Sequence, residues 1–312
     1  MNRPADQHSS ANAFRPDLVR WRQLVAPAWL AALNAGMPVA AAPPAGWRLF
    51  EVGCGGAALF EQAHIPGAGY IDTAELEQEP LWNKVSDRAL LRLLLRLGVR
   101  HDGCVVLYGR STLAAARAAH LLLYAGVRDV RLLDGGFALW RAGGHPLQAG
   151  PPARHDAVAA FGAPFPARPD YLIDTAGAKA LLAGGDGALV SIRSWSEHTG
   201  KISGYSYIAA RGEIPGALWG RAGDDGDVNS MSAFHLADGR MRPAGEIREQ
   251  WRQAGIVGAG RTAFYCGTGW RASLAFFYAW LMDWQGISVY DGGWCEWSRD
   301  PANQVQRRIE AG

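Results

Sequence analysis

The sequence of 312 residues contains an internal duplication, which limits the chain to folds that use one unit twice. Three motifs occur in each half, in the same order. The pairs are His64-Ile-Pro-Gly-Ala68 with Glu213-Ile-Pro-Gly-Ala217, Val105-Val-Leu-Tyr108 with Thr262-Ala-Phe-Tyr265, and Asp134-Gly-Gly-Phe-Ala-Leu-Trp140 with Asp291-Gly-Gly-Trp-Cys-Glu-Trp297. The first pair is 149 residues apart and the other two are each 157 apart. Matched motifs at nearly one spacing indicate a duplicated domain.

Each half alternates short buried strands with segments of helix length. Predicted strands lie at 47–52, 105–108, 130–133, 188–192, 262–265 and 288–290, and predicted helices at 27–33, 87–97, 113–125, 244–254 and 273–282. This alternation implies a mainly parallel sheet that carries helices on both faces. The predicted fold class is therefore α/β, with two tandem domains of the same kind.

The domain boundaries follow from composition. Residues 148–169 are rich in Pro, Ala and Gly and show no sustained periodicity, which is typical of a linker. We therefore predict an N-terminal domain at 18–147 and a C-terminal domain at 170–310, and we expect the linker to lie across the surface of both. Two domains are also the usual expectation for a chain of this length.

Composition excludes several classes of protein. Hydrophobic residues make up 49% of the chain and charged residues 19%, which is typical of a globular protein. A net charge of +2 gives no basic surface for nucleic acid. The segment Met1–Ser10 lacks an apolar core, and prolines interrupt the uncharged stretch 23–47, so no membrane span is predicted and a cytoplasmic location is expected. Four widely spaced cysteines suggest neither a zinc site nor disulfides.

The segment Cys266-Gly-Thr-Gly-Trp-Arg271 is the candidate active-site loop. It lies between the buried strand ending at Tyr265 and a very apolar helix predicted to begin at Ser273. A turn from strand to helix directs backbone N–H groups and the positive end of a helix dipole at one point, where a thiolate would be stabilised. The residue pattern favours a nucleophilic Cys266, and the alternative is a small buried apolar side chain.

These motifs together resemble those of the tandem-domain rhodanese sulfurtransferases, a family that includes thiosulfate and 3-mercaptopyruvate sulfurtransferases. The resemblance covers roughly residues 24–299. It implies that Cys266 accepts a sulfane sulfur as a persulfide and passes it to a thiol, cyanide or protein acceptor. The first domain, with Gly109 in the place of the cysteine, should be inactive. The family implies no metal and no organic cofactor.

The length and composition of the loop help to distinguish sulfurtransferases from the similar phosphatases and arsenate reductases. Four residues stand between Cys266 and Arg271, whereas the similar phosphatases and arsenate reductases have five, so a phosphatase is a remote alternative. The loop is most similar to the Cys-Gly-Ser-Gly-Val-Thr of the mercaptopyruvate enzymes, with Thr268 for serine. Thiosulfate-preferring enzymes carry basic residues after the cysteine, which are absent here. Trp270 and Arg271 match neither pattern, so the donor stays open between thiosulfate and 3-mercaptopyruvate.

Roles can be assigned along the loop. The amides of Gly267, Thr268, Gly269, Trp270 and Arg271 are expected to surround the thiolate and the outer persulfide sulfur. The Thr268 hydroxyl either hydrogen-bonds the sulfur, relays a proton or holds the turn. The Arg271 guanidinium either binds an anionic donor or closes the loop on backbone carbonyls.

Two further residues are candidates for substrate binding. The resemblance implies that Arg193 binds the donor carboxylate, a task that suits a bidentate guanidinium, and the alternative is an ion pair inside the domain. Trp82 is expected to shape the entrance of the cleft from the first domain. His64 is expected to be structural.

The resemblance supports two functions. The first is an enzyme that moves sulfur from a small donor through Cys266. The second is a relay protein that a desulfurase loads and that serves a biosynthetic partner.

Overall fold

The structure, a computed structural model, describes residues 14–185 and 187–307. The predictions for Met1–Ser10 and for a domain end at residue 310 lie outside the described residues. Two five-stranded parallel sheets account for most of the strands, and a small antiparallel pair accounts for the rest. The strands are β1 Leu24–Val25, β2 Arg48–Gly53, β3 Gly69–Asp72, β4 Glu77–Gln78, β5 Asn83–Lys84, β6 Cys104–Tyr108, β7 Asp129–Leu133, β8 Leu172–Ile173, β9 Gly187–Ser191, β10 Leu218–Trp219, β11 Arg261–Tyr265 and β12 Ile287–Tyr290.

The two sheets have the same strand order. The first runs β1-β7-β6-β2-β3 and the second runs β8-β12-β11-β9-β10. Each therefore places at its centre the strand that ends in tyrosine, β6 or β11. This arrangement confirms the predicted duplication and the α/β fold class.

Helices cover the sheets at equivalent places in both repeats. They are α1 Pro27–Asn34, α2 Ala58–Gln62, α3 Asp87–Arg96, α4 Thr112–Ala125, α5 Gly136–Ala142, α6 Thr175–Gly184, α7 Trp195–Thr199, α8 Ala244–Gln253, α9 Trp270–Leu281 and α10 Gly293–Trp297. Helices α1, α2 and α5 pack on one face of the first sheet, and α6 and α10 pack on the equivalent face of the second. The remaining long helices, α3, α4, α8 and α9, share one central core with both sheets.

Helices α4 and α9 join the two repeats. Residues Leu113–Ala125 of α4 and Arg271–Leu281 of α9 are all buried. Phe276 of α9 lies edge-on to His120 of α4, with ring centroids 4.8 Å apart. Continuous burial of two helices against each other makes the repeats one hydrophobic unit rather than two separate cores.

The start of α9 differs from the sequence prediction. The helix begins at Trp270 rather than at Ser273, because the Ser273 amide already donates to the Gly269 carbonyl at 2.8 Å. Gly269 adopts a φ of +101°, which ends the turn and suits glycine. Trp270 and Arg271 therefore lie in the first helical turn, and the loop itself is only Cys266–Gly269.

The segment between the repeats follows the first repeat. Amides of Ala153, Val158 and Ala167 donate to carbonyls of Ala68, Leu95 and Ala125. The domain boundaries at 147 and 170 stay predictions. Across 14–185 and 187–307, no helix has the length and apolar character needed to cross a bilayer.

The shared core predicts cooperative unfolding. Phe276→Ala should open a cavity between α4 and α9 and lower the free energy of unfolding by about 3–5 kcal/mol. Urea unfolding, followed by tryptophan fluorescence and by far-UV circular dichroism, should show one coincident transition that moves to lower urea. Val257→Ala, at a position that is 63% exposed, is the control and should change stability by less than about 0.5 kcal/mol. Two separated transitions, with only one of them shifted, would contradict a common core.

Candidate active site

Cys266 is the first residue after β11, at the carboxyl edge of the second sheet. Its side chain is buried, and its Sγ accepts a hydrogen bond from the Gly269 amide at 3.2 Å. Functional clefts of parallel sheets lie beyond this edge. The strand and the short turn thus place a thiol against a backbone N–H group at the expected position for a nucleophile.

Backbone amides that follow the repeated Asp-Gly-Gly motif hydrogen-bond the Cys266 loop. The Trp294 amide donates to the Cys266 carbonyl at 2.8 Å, and the Cys295 amide donates to the Gly267 carbonyl at 3.0 Å. These amides belong to the first turn of α10, where N–H groups have no partner within the helix. The first repeat uses the same device, since the Phe137 amide donates to the Gly109 carbonyl at 3.0 Å.

Tyr205 presses against the loop from the opposite side. The Gly267 amide donates to the Tyr205 hydroxyl at 3.2 Å rather than to the sulfur. A Cβ atom on Gly267 would lie 2.2 Å from the Tyr205 ring, so only glycine allows this close approach. Of the five amides assigned to the sulfur from sequence, Gly269 donates to Sγ and Gly267 donates elsewhere.

A cavity of about 450 Å³ opens in front of Cys266, between the two repeats. The first repeat contributes Cys54, Glu77, Trp82 and Leu113, and the second contributes the segment 204–207, Val228, Asn229, Cys266, Thr268, Trp270 and Arg271. Four aromatic rings, those of Trp82, Tyr205, Tyr207 and Trp270, therefore line one cavity. The Trp82 and Tyr207 rings have centroids 6.1 Å apart.

Glu77 is the acidic group of this cavity. Its Oε2 accepts from the Trp270 indole N–H at 2.7 Å, and its Oε1 accepts from Arg117 Nε at 2.7 Å. Burial raises the pKa of Glu77 to about 7, although Arg117 and the Trp270 hydrogen bond oppose the shift. The Glu77 side chain therefore changes charge near neutral pH.

Arg271 is the only cation among the described residues that line the cavity, and it is already engaged. Its two terminal nitrogens donate to the Glu197 carboxylate at 2.8 and 2.9 Å, and one also donates to the Tyr205 hydroxyl at 2.6 Å. Burial alone would raise the pKa of Glu197, but the adjacent Arg271 guanidinium holds it below the usual value. The Arg271 side chain thus closes the loop through a carboxylate and a phenol, not through the backbone carbonyls expected from sequence.

Arg193 does not line the cavity. Its side chain is fully buried, donates to the Gly212 carbonyl at 2.7 Å and lies 3.6 Å from Glu197 and 3.5 Å from Glu213. Arg193 thus makes the ion pairs of the second alternative, and its role toward a donor carboxylate stays a prediction. Two acids lie near this arginine: Glu197 of α7 and Glu213 of the Glu213-Ile-Pro-Gly motif.

Four other residues named from the sequence have the following positions in the structure. Trp82 and Trp270 are half-buried in the cavity wall, and Thr268 is buried beside Cys266. His64 is fully buried and stacks on Phe60, with ring centroids 3.8 Å apart. Their chemical roles remain proposals.

Sequence reasoning missed part of the site. Tyr205 and Tyr207 lie in a segment without strand or helix, Glu77 lies in a two-residue strand, and Cys54 follows β2. Two aromatic residues in the polar stretch before Glu213-Ile-Pro-Gly were the one available sign. Within the described part of the chain, no group of three or more His, Cys, Asp or Glu side chains could hold a metal ion.

Comparison with known proteins places both repeats in one family. The Rhodanese-like domain matches residues 49–143 and again residues 174–300. Thiosulfate sulfurtransferase YnjE of Escherichia coli is 51% identical over 288 residues, which are 92% of this chain but 66% of that protein. The crystal structure of YnjE has a TM-score of 0.90 and covers 94% of this chain and 70% of the solved one.

Other relatives carry different names. Sulfur carrier protein TtuD of Thermus thermophilus is 32% identical and matches 77% of this chain and 84% of its own length. A probable 3-mercaptopyruvate sulfurtransferase of Pseudomonas aeruginosa is 33% identical and matches 80% of this chain and 86% of its own length.

Two solved structures show ligands in proteins of this fold. An anaerobic ergothioneine biosynthesis enzyme of Chlorobium limicola, in complex with its substrate trimethyl histidine, is 36% identical with a TM-score of 0.89, covering 94% of this chain and 72% of that one. A structure of EanB with a cysteine persulfide and ergothioneine is 35% identical, with the same TM-score and coverage. On the family match and the named relatives, the chain belongs to the rhodanese family of sulfurtransferases, as a tandem pair of rhodanese-like domains.

Proposed function

We propose that the protein transfers sulfane sulfur through a persulfide on Cys266. The position of this thiol carries the proposal: it stands at the carboxyl edge of β11, accepts the Gly269 N–H at 3.2 Å and opens on a cavity between the repeats. The equivalent position of the first repeat, Gly109, offers no nucleophile. The second repeat therefore carries the chemistry.

The reaction has two halves. With thiosulfate, the Cys266 thiolate attacks the outer sulfur, a new S–S bond forms, and the bond to the sulfonate sulfur breaks to release sulfite. An acceptor then attacks the outer persulfide sulfur, and the electron pair of the S–S bond returns to Cys266 as thiolate. In this proposal the Gly269 N–H stabilises negative charge on sulfur in both halves, and we expect the Thr268 hydroxyl to donate a further hydrogen bond to the outer sulfur.

The cavity gives no dedicated anchor for an anionic donor. Arg271 is committed to Glu197 and Tyr205, and Arg193 lies outside the cavity. The absence of an uncommitted cation among the described lining residues selects neither thiosulfate nor 3-mercaptopyruvate, since both are anions. Thiosulfate is the donor we expect because of the 51% identity to thiosulfate sulfurtransferase YnjE. Loading by a desulfurase is the alternative, which the sulfur carrier relative supports. A cytoplasmic location stays a prediction from sequence.

The cavity wall favours a second candidate acceptor, a small aromatic cation of the kind that the Chlorobium limicola enzyme binds as trimethyl histidine. The Trp82, Tyr207 and Trp270 rings offer π faces, and the Glu77 carboxylate, which already accepts from Trp270 and Arg117, lies on the same wall. Aromatic rings beside an acid are the usual environment of quaternary ammonium groups. In this transfer a C–S bond would form at the imidazole carbon, the S–S bond would break with its electron pair returning to Cys266 as thiolate, and the carbon would release its proton.

Intact mass after brief incubation with thiosulfate, and separately with 3-mercaptopyruvate, tests the persulfide. We expect thiosulfate to add one sulfur atom that cyanide removes, and Cys266→Ser to gain none. Cys54→Ser, which removes the other cysteine of the cavity, is the matched control and should load normally. Loading only by a desulfurase would support the relay function, and sulfur retained in Cys266→Ser would refute the proposal.

Binding of trimethyl histidine to the unloaded protein, measured by calorimetry, tests the cationic acceptor. Trp82→Ala should weaken binding by about 1 kcal/mol or more, roughly fivefold, because a ring face is lost. Trp21→Ala, outside the cavity, should leave it unchanged. Since Glu77 is anionic only above its pKa of about 7, affinity should fall as the pH is lowered from 8 to 6, and Glu77→Gln should abolish that dependence. Equal binding by wild type and Trp82→Ala would rule out this site for the cation.

A further inference from the structure

Three charged side chains form a buried network between the repeats: Glu77, Arg117 and Asp291, here called the interdomain network. Arg117, on α4 of the first repeat, has no exposed surface. Its Nε donates to Glu77 at 2.7 Å and its Nη2 donates to Asp291, in the second repeat, at 2.5 Å. One cation thus pairs with two buried carboxylates that belong to different repeats.

The carboxylates of the network are each connected to the Cys266 loop. Glu77 accepts from the indole of Trp270, the first helical residue after the loop. Asp291 begins the Asp-Gly-Gly turn that leads into α10, whose amides bind the carbonyls of Cys266 and Gly267. Arg117 is therefore connected to the Cys266 loop by two routes. One runs through Glu77 to Trp270, and the other runs through Asp291 to the start of α10.

The guanidinium of Arg117 also lies directly against the loop. A Cβ atom on Gly269 would be 3.1 Å from Arg117 Nη1, and this nitrogen is buried without a hydrogen-bond partner among the described residues. Gly269 is the residue whose amide binds Cys266 Sγ. A displacement of Arg117 would therefore move the group that contacts the sulfur.

Comparison of the two repeats shows that this network is present on one side of the interface and not at the equivalent positions of the other. The residues 157 positions after Glu77 and Arg117 are Phe234 and Leu274, which are buried and apolar. The same spacing is preserved elsewhere in this interface, because the Lys84 amide donates to Asp291 and the Met241 amide donates to Asp134, both at 2.8 Å. At the side of the interface that faces Cys266, the charged pair Glu77 and Arg117 therefore occupies positions that are apolar in the second repeat.

We propose that Arg117 is a positioning residue for Cys266, supplied by the repeat that lacks a nucleophile. It fixes the loop so that the Gly269 amide meets the sulfur, and its positive charge offsets the carboxylates of Glu77 and Asp291, which would otherwise oppose a thiolate nearby. The proposal deepens the proposed function and rests on it for the reaction, although the positioning of the thiol is measurable without sulfur transfer.

Alkylation of Cys266 by iodoacetamide across pH 6–10 tests the proposal without any sulfur donor. The rate is followed by mass spectrometry of the peptide that contains Cys266, in a Cys54→Ser background. Arg117→Gln should slow alkylation at pH 7 by about 10- to 100-fold and move its pH midpoint upward, because the loop shifts and the carboxylates lose their cation. Arg117→Lys should restore part of the rate.

The matched control is Arg131→Gln. Arg131 is a buried arginine of the same repeat that pairs with Asp129 at 2.7 Å, away from the cavity. It should keep the wild-type alkylation profile, even where its thermal stability falls as much as that of Arg117→Gln. A wild-type profile in folded Arg117→Gln, or an equal change in Arg131→Gln, would overturn the proposal.

Trp270→Phe covers the case in which Arg117→Gln does not fold. This variant keeps both ion pairs and removes only the hydrogen bond from the loop to Glu77. Slower alkylation with intact folding supports the proposal, and an unchanged profile overturns it. If the Arg117 variants alter thiol reactivity while no donor loads wild-type Cys266, the positioning role holds and the proposed function fails.

Discussion

The position of Cys266 depends on two hydrogen bonds from α10 to the carbonyls of the turn. The Trp294 and Cys295 amides would be unpaired at a helix start, and the Cys266 and Gly267 carbonyls would be unpaired in a buried turn. The two amides and the two carbonyls thus satisfy one another by hydrogen bonds that involve the backbone alone. This explains why Asp-Gly-Gly is retained in the first repeat, where the same bond reaches Gly109: the motif closes the fold, and the chemistry was built on a turn already held.

The two repeats share a backbone and differ in a few side chains that meet at one cleft. Cysteine stands for glycine in the turn, and on the facing repeat Arg117 and Glu77 stand where the other side has Leu274 and Phe234. The repeat without a nucleophile thus contributes Glu77 and the ring of Trp82 to the cavity, and Arg117 binds Glu77 behind the cavity wall. The repeat with Gly109 in place of the cysteine therefore still supplies part of the candidate active site.

Much of the fold followed from the sequence because it depends on local pattern. Short buried strands, helix-length segments and motifs repeated at one spacing are enough to give two parallel sheets with one strand order. The start of α9 was placed three residues late, because only the backbone shows that Gly269 ends the turn. The position of Cys266 was predictable for the same reason, since strand, turn and helix are contiguous around it.

The side chains around the nucleophile were less predictable because their partners are distant in sequence. Arg117 is 40 residues from Glu77 and 174 from Asp291, and no spacing rule connects them. Arg193 shows the same limit, because its ion pairs with Glu197 and Glu213 were one of two alternatives that remained open from the sequence. Tyr205 and Tyr207 belong to a segment without periodicity, so the direction of their rings could not be predicted.

A crystal structure of the protein after treatment with thiosulfate tests the central claim most directly. The account predicts one additional sulfur atom bonded to Cys266 Sγ, lying in the cavity between the repeats, with the Gly269 amide within hydrogen-bond distance of the sulfur pair. An unmodified Cys266 beside a modified Cys54, or an outer sulfur directed away from the cavity, would contradict it.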